Sequence, residues 1–575
     1  MNLRTLIFQD YPNVIFISTS TLAAFLALRP TPSPAPIVLT LTALLVYSRI
    51  LFPSQHAASY TTILWFTISV AGTLAKVTAS LDALSSAAFS IIALFTLSAI
   101  TSFFILSIIY LDTKVCARSS SPWVQISLFP ALWTSLWFGV SYLSPVGRLL
   151  ALSPVEGIDS YDWILQLVGA PGVDWIVAAW AVVCSQAIGA WFIGLEEKES
   201  EGPLIAHEAP ARQRSHQLSR AGSIALLTTL VLAPAAFSTL RSNYPQAVIS
   251  ADTTPLSVGC ILPPLQRSKR QSLTLDDYID ESVKWQNSAK ILLWPEGAVT
   301  FNSEAEREEG FAKVKQLVNQ TAYIGVSFEE VYNDKEKGSR RSISKHNGLA
   351  IISRWSSEPH LVYYKRHLVP IAESFSLTHS TQPPSIFTLE LPRPKGMNKT
   401  DWAPGPNHTR PIPITASICL DFADPSPFAE LSSKPALVLG PARTWDIAVG
   451  YAMWRQAKQR AEEVGTMILW CDGGDGGVSG IAGGGFSDFT QVGPGSWVRA
   501  IGVQYPFNTQ RTPFAYLGSA TILLFWVVVL GGYFSEVLGY VPQVIMAKRG
   551  YRDVRNLFRS RPREDEVAVE GDLLG

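Results

Sequence analysis

Apolar residues run through the first part of the chain in long stretches that no carboxylate interrupts. Such stretches cover roughly residues 14–28, 36–52, 60–79, 86–111, 124–144, 175–195 and 222–240. A helix crosses the hydrocarbon core of a bilayer with about 17–25 residues. Each stretch approaches or meets that length, so the pattern predicts seven membrane helices before residue 243. From about 244 to 510 the texture changes to short β-rich runs, charged helical stretches and Pro/Gly turns, which predicts a soluble α/β domain. The stretch 514–534 is apolar again. The predicted order is a seven-helix membrane domain (1–243), an α/β domain (244–510), an eighth membrane helix (511–535) and a basic tail (536–575). The first stretch is followed by Arg29 and a Pro-rich segment without a small-residue cleavage site, so it reads as a retained helix.

Composition sharpens this picture. Of 575 residues 47% are hydrophobic and only 16% charged, well under the roughly 25% charged of an ordinary soluble domain. Lys plus Arg and Asp plus Glu both number 46, so no basic excess points to nucleic acid. Five cysteines without a C-x-x-C pair or an H-E-x-x-H run exclude a disulfide framework and offer no zinc site; no cofactor is expected. His207 and His216 sit among Arg and Gln in the charged sixth loop and read as solvated.

Cationic residues orient the chain. With the N-terminus in the cytosol, Arg4, Arg49, Lys114, Arg118, Lys198, Arg212, Arg214, Arg220 and the Arg-rich tail all become cytosolic, while the opposite short loops hold little more than Arg29 and Arg148. The α/β domain then faces the lumen or exterior, with both termini cytosolic. Sequons at Asn319, Asn398 and Asn407 all fall in that domain. Cys260 and Cys471 also lie on this oxidising side, where they either pair or stay buried as free thiols.

Three predicted strands of the α/β domain end on reactive side chains. The run 291–294 leads to Glu296, 361–364 to Lys365, and 412–418 to Cys419. A sheet holds such groups in register. Brought together, a carboxylate takes the thiol proton, and an ammonium stabilises both the thiolate and the oxyanion formed when it attacks a carbonyl.

Trp294-Pro295-Glu296, then Tyr364-Lys365-Arg366-His367-Leu368-Val369-Pro370-x-x-Glu373, then Ser417-Ile418-Cys419-Leu420-Asp421 resemble the successive motifs of the nitrilase superfamily, and specifically of its membrane branch, the apolipoprotein N-acyltransferases. Pro130-Ala131-Leu132-Trp133, Pro404-Gly405 and Arg460-Ala461-Glu462 add to the resemblance. It implies a polytopic membrane protein with a four-layer αββα sandwich inserted between the seventh and eighth spans. It further implies Glu296 as general base, Lys365 as thiolate and oxyanion stabiliser, Cys419 as nucleophile, Glu373 as a supporting carboxylate and His367 as structural. The implied partners are a phospholipid acyl donor and an amine acceptor, such as a lipidated protein N-terminus.

The chain also departs from that pattern. Leu420-Asp421 stands where the bacterial enzymes have an aromatic residue and Glu, and Pro441-Ala442-Arg443-Thr444-Trp445 replaces Asn-Asp-x-Trp-Phe. These changes leave the acceptor open. A membrane-tethered amidase using water as acceptor is the alternative, and a catalytically silent lipid- or partner-binding scaffold a third. The glycine-rich run 472–485 reads either as a mobile lid or as a loose surface loop. The segment 145–173, with Trp163, reads as interfacial or as a plain connection.

Overall fold

A computed structural model describes residues 3–193 and 211–534, apart from 82, 85, 120, 241–243, 249, 265–272, 320, 334–342, 395–401 and 404–406. Lys198, His207, the sequon at Asn398, the Pro404-Gly405 motif and the basic tail 536–575 lie outside the described residues, as does the side chain of His216.

The apolar part forms helices α1 (Pro12–Ala27), α2 (Pro34–Leu51), α3 (Ala57–Ser80), α4 (Ala87–Cys116), α5 (Pro122–Leu143), α6 (Asp162–Ile193) and α7 (Ala211–Ser238). Seven helices of the described chain are long and apolar enough to cross a membrane, six of them among these and one at Pro513–Phe534. Helix α1 has 16 residues and falls just short. Outward residues such as Phe89, Ile92 and Phe103 of α4 are apolar and exposed, as expected of helices meant for a hydrocarbon surrounding. Within them hydroxyls bond to the carbonyl four residues back, as Ser69 does to Trp65 and Ser102 to Ser98, which leaves few polar atoms for lipid to face.

The sixth helix begins earlier than the stretch 175–195 foretold, at Asp162, and is broken at Gly169, whose φ is 68°. A Cβ there would lie 2.2 Å from the Phe514 ring. The amide of Ala170, freed by the break, donates to Glu463 at 2.9 Å. Segment 145–173 is accordingly more than a plain connection, since from Asp162 it is part of α6. It is tied down, with Trp163 Nε1 bonded to the Pro234 carbonyl.

The α/β part contains two sheets. The strands are β1 (Thr253–Cys260), β2 (Ile291–Leu293), β3 (Val299–Phe301), β4 (Tyr323–Asn333), β5 (Ile343–Ser353), β6 (Leu361–Tyr364), β7 (Phe387–Pro392), β8 (Thr409–Ala416), β9 (Leu437–Ala442), β10 (Met467–Asp472), β11 (Val478–Ala482), β12 (Phe489–Val492) and β13 (Trp497–Gln504). One sheet runs β13-β1-β2-β4-β5-β6 with β3 beside β4, the other β12-β11-β10-β9-β8-β7. Period-two alternation sorts their side chains. Ile291 and Leu293 of β2 (Ile291–Leu293), with Leu349 and Ile351 of β5 (Ile343–Ser353), face the second sheet's Ile412, Ile414 and Leu439. Leu292, Ala350 and Ile352 face outward onto Tyr278, Ile279 and Phe311. Those last residues belong to helices α8 (Leu275–Trp285) and α9 (Glu304–Leu317). Helix α10 (Ile447–Val464) covers the second sheet, and the order α8/α9, sheet, sheet, α10 gives four layers. Cys260 of β1 and Cys471 of β10 are disulfide-bonded across the two sheets, with Cα atoms 5.4 Å apart.

The domain rests on the apolar helices through α10 and the loop before it. Lys458 pairs with Asp159 at 3.0 Å, and Trp445 Nε1 donates to the Ala79 carbonyl near the end of α3 at 3.2 Å.

Candidate active site

Sheet direction brings the reactive groups to one end. Strands β8 (Thr409–Ala416), β9 (Leu437–Ala442) and β10 (Met467–Asp472) are parallel, so Cys419, Arg443 and Gly473 emerge at the same edge. Glu296 follows β2, and its amide donates to the Ala442 carbonyl at 3.3 Å. Lys365 follows β6 (Leu361–Tyr364).

The structure brings all four sequence-predicted residues together. The Lys365 ammonium lies 2.6 Å from Glu296 Oε1 and 2.8 Å from a Glu373 carboxylate oxygen. Glu296 and the Arg443 backbone amide both lie near the Cys419 sulfur. Cys419, Glu296 and Lys365 are all buried. Glu373 is partly exposed and is itself held by the Val369 amide, which donates to Oε2 at 2.8 Å. Cys419 opens a 3-10 turn (Cys419–Ala423) with φ 45°, a left-handed conformation that costs a non-glycine residue about 1–3 kcal/mol.

Burial raises the Cys419 thiol well above its ordinary pKa; Glu296 adds to this, and Lys365 opposes it. Burial likewise raises Glu296, against the pull of Lys365. Burial works against the Lys365 ammonium, yet Glu296, Cys419 and Glu373 together hold its pKa above the ordinary lysine value. The resting site is therefore a neutral thiol beside a carboxylate–ammonium pair. In such an arrangement a carboxylate can take a thiol proton.

Three supporting residues were not singled out from sequence. Asn347 donates to Glu296 Oε1 at 2.8 Å from 51 positions away, a pairing with no local signal. Asp472 accepts from the Thr444 amide and hydroxyl at 3.0 and 2.6 Å, fixing the loop that presents the Arg443 amide. Asp421, quoted in the sequence as part of a motif and as a departure but given no role, is buried and accepts from the amides of Ile418, Arg366 and His367 and from the Tyr363 hydroxyl. It thus ties the residue before Cys419 to the two residues after Lys365. Replacement by Ala strands those buried donors, and Asp421→Ala is expected to lose on the order of 1–3 kcal/mol of stability, read as a lower denaturant midpoint.

His367 sits between Asp421 at 3.2 Å and Asp424 at 3.0 Å. Hydrogen bonds that its ring nitrogens donate to both carboxylates lift its pKa from 6.5 to about 9. The folded pKa is the higher one, so the pair's contribution is complete below the unfolded value of 6.5 and is lost as pH rises through about 9. The imidazole is more than a third exposed, so the effect is modest. Melting temperature is expected to fall over that window more in the wild type than in His367→Gln.

The glycine-rich run is neither lid nor loose loop. Its centre is strand β11 (Val478–Ala482), fully buried. A Cβ on Gly474 would lie 1.7 Å from the Thr444 carbonyl, and one on Gly476 2.1 Å from the Asp446 backbone. These glycines let two backbones touch behind the Arg443 amide. An open cavity of about 1030 Å³ begins at Glu296 and reaches Arg443, Trp445 and Asp475, with Glu306 and Glu309 on its far wall.

No family model matches the chain. A stretch of 181 residues is 27% identical to the apolipoprotein N-acyltransferase of Coxiella burnetii, covering 30% of this chain and 33% of that protein. The chain thus spans about a third of the length of the curated relative it matches. The match falls in the family whose motifs the sequence resembles, and that resemblance stands. Among solved structures, an amidase from Nesterenkonia sp. is 15% identical, with 45% of this chain and 93% of that chain covered and a TM-score of 0.28. The NitFhit protein of C. elegans is 13% identical, with 44% and 61% covered and a TM-score of 0.29.

Proposed function

We propose that this protein is a membrane N-acyltransferase that takes an acyl chain from a phospholipid as a Cys419 thioester and passes it to an amine. One observation carries the reading: Glu296, Lys365 and Cys419 form a single buried cluster with the partly exposed Glu373 against Lys365, and the loop beside it rests on the end of an apolar helix through Trp445.

In the first half-reaction Glu296 accepts the thiol proton while the sulfur bonds to the ester carbonyl carbon. The Lys365 ammonium and the Arg443 amide stabilise the oxyanion. Collapse breaks the ester C–O bond, Glu296 returns its proton to the leaving alkoxide, and a lysophospholipid departs. In the second, an amine nitrogen bonds to the thioester carbon and gives its proton to Glu296. The C–S bond then breaks, and the sulfur takes that proton back. The large cavity beside Glu296 suits the acceptor, since Glu296, Glu306, Glu309 and Asp475 outnumber Lys313 and Arg443 on its walls and favour an ammonium-bearing molecule. Incubation with phospholipid followed by mass spectrometry of the Cys419 peptide should reveal an added fatty acyl mass; an unmodified peptide after prolonged incubation would defeat the reading.

The topology belongs to the same proposal: eight spans, with α1 counted as the first, the α/β domain lumenal or exterior, and both termini cytosolic. The Cys260–Cys471 disulfide supports an oxidising surrounding for that domain. In a eukaryotic secretory membrane the exposed Asn407 is expected to accept a glycan, while a tag after Gly575 is reached only from the cytosol. Protection of tag and domain on the same side would break the eight-span count.

A further inference from the structure

A second, smaller cavity of about 40 Å³ lies where the apolar helices meet the α/β domain. One water occupies about 10–15 Å³ of such space, so it has room for about three waters or one phosphate-sized group. Arg29 beyond the end of α1, Lys76 in the last turns of α3, Thr101 of α4, Arg148, and Gln456 of α10 line it, and no carboxylate does.

Its polar groups are left over. Neither Arg29 nor Lys76 has a hydrogen-bond or ion-pair partner among the described residues. Arg148 spends one terminal nitrogen on Asp174 at 3.0 Å and on Ser153 at 2.6 Å, but its Nε has no partner. Gln456 is 4% exposed and its Oε1 has no partner. Arg29 and Lys76 bring positive charge to one small space beside the Arg148–Asp174 pair with no carboxylate of their own, and a buried amide oxygen without a donor costs free energy. A ligand with anionic oxygens and a neighbouring donor group satisfies all of them.

The surroundings favour a lipid as the source of that anion. Arg29 and Lys76 stand at helix ends, the headgroup level of a bilayer. Beside Thr101 the α4 residues Leu97 and Ile100 are apolar and 42% and 47% exposed, offering a surface for acyl chains. On the other side, residues 147–150 separate the cavity from the Cys419 turn. A Cβ on Gly147 would lie 2.1 Å from the Ala423 carbonyl, and Leu149 packs into the α/β core.

We propose that this cavity binds the phosphodiester headgroup of the acyl-donor phospholipid, with Arg29, Lys76 and Arg148 Nε on the phosphate and the Gln456 amide on the headgroup's hydroxyl or amine. This rests on the acyl-transfer reading and adds to it a site for recognising the donor.

The test uses the full-length protein carrying Cys419→Ser, so that binding is read without turnover. Native mass spectrometry from detergent compares dioleoyl phosphatidylglycerol with dioleoylglycerol, which has the same tails and no phosphate. The phospholipid should bind about tenfold tighter or better, a preference that Arg29→Gln with Lys76→Gln abolishes and Lys76→Arg keeps. Equal binding of the two lipids, or a preference untouched in the double Gln variant, overturns the proposal. So does inorganic phosphate binding as tightly as the phospholipid, which would mark a site for a free anion. An intact headgroup preference in a protein that never acylates Cys419 would count against the acyl-transfer reading alone.

Discussion

Cys419→Ser and Cys419→Ala are expected to bring acyl transfer down to background, with melting temperatures close to that of the wild type. On the proposed mechanism the attacking atom is the sulfur, and burial already holds its thiol well above the ordinary pKa. A Ser hydroxyl ionises far less readily still, and in the same surroundings it would not lose its proton to Glu296 at a useful rate. The fold has little reason to respond, because the side chain changes by one small atom at a position already fixed by the 3-10 turn and by Asp421. Single-turnover acylation by labelled phospholipid, with thermal melting as the control, reads both halves. Normal transfer by either variant would end the mechanism.

The next largest effects should come from the buried ion pair. Glu296→Gln keeps the shape and the Asn347 and Lys365 neighbours but cannot accept a proton, and acylation should slow by about 10²–10⁴. Lys365→Met should be at least as severe, because it removes the buried charge facing the oxyanion. It also leaves Glu296 and Glu373 close together without their shared cation, and breaking such a buried pair costs about 3–5 kcal/mol. The double variant Lys365→Met with Glu373→Gln relieves that repulsion. It should regain stability while remaining inactive. Wild-type acylation in Lys365→Met would remove the oxyanion role.

Much of this arrangement was legible because it depends on short-range pattern. The strand expected at 361–364 is the strand observed, and Lys365 follows it directly because an apolar run ends where the sheet ends. What escaped depends on contacts distant in sequence. Asn347 reaches Glu296 only through the pairing of β5 with its neighbours, and Asp421 gathers donors from two loops more than 50 positions apart. The glycine-rich run misled for a related reason. Glycine marks flexibility in a free loop, but here it marks close approach to Thr444 and Asp446, and sequence alone does not distinguish the two. Hydropathy also missed the break at Gly169, since the residues on both sides are equally apolar and the cause lies in Phe514 and Glu463.

Whether the enzyme transfers to an amine or hydrolyses is decided by the fate of the thioester. A transferase must keep water from Cys419 between its two half-reactions. Purified protein incubated with labelled phospholipid alone, then quenched in acid, should carry label on Cys419 at close to one equivalent, with little in free fatty acid, and should discharge when a lipidated peptide with a free α-amine is added. Steady release of free fatty acid without an accumulating thioester would contradict the account and assign the same residues to a membrane-tethered amidase.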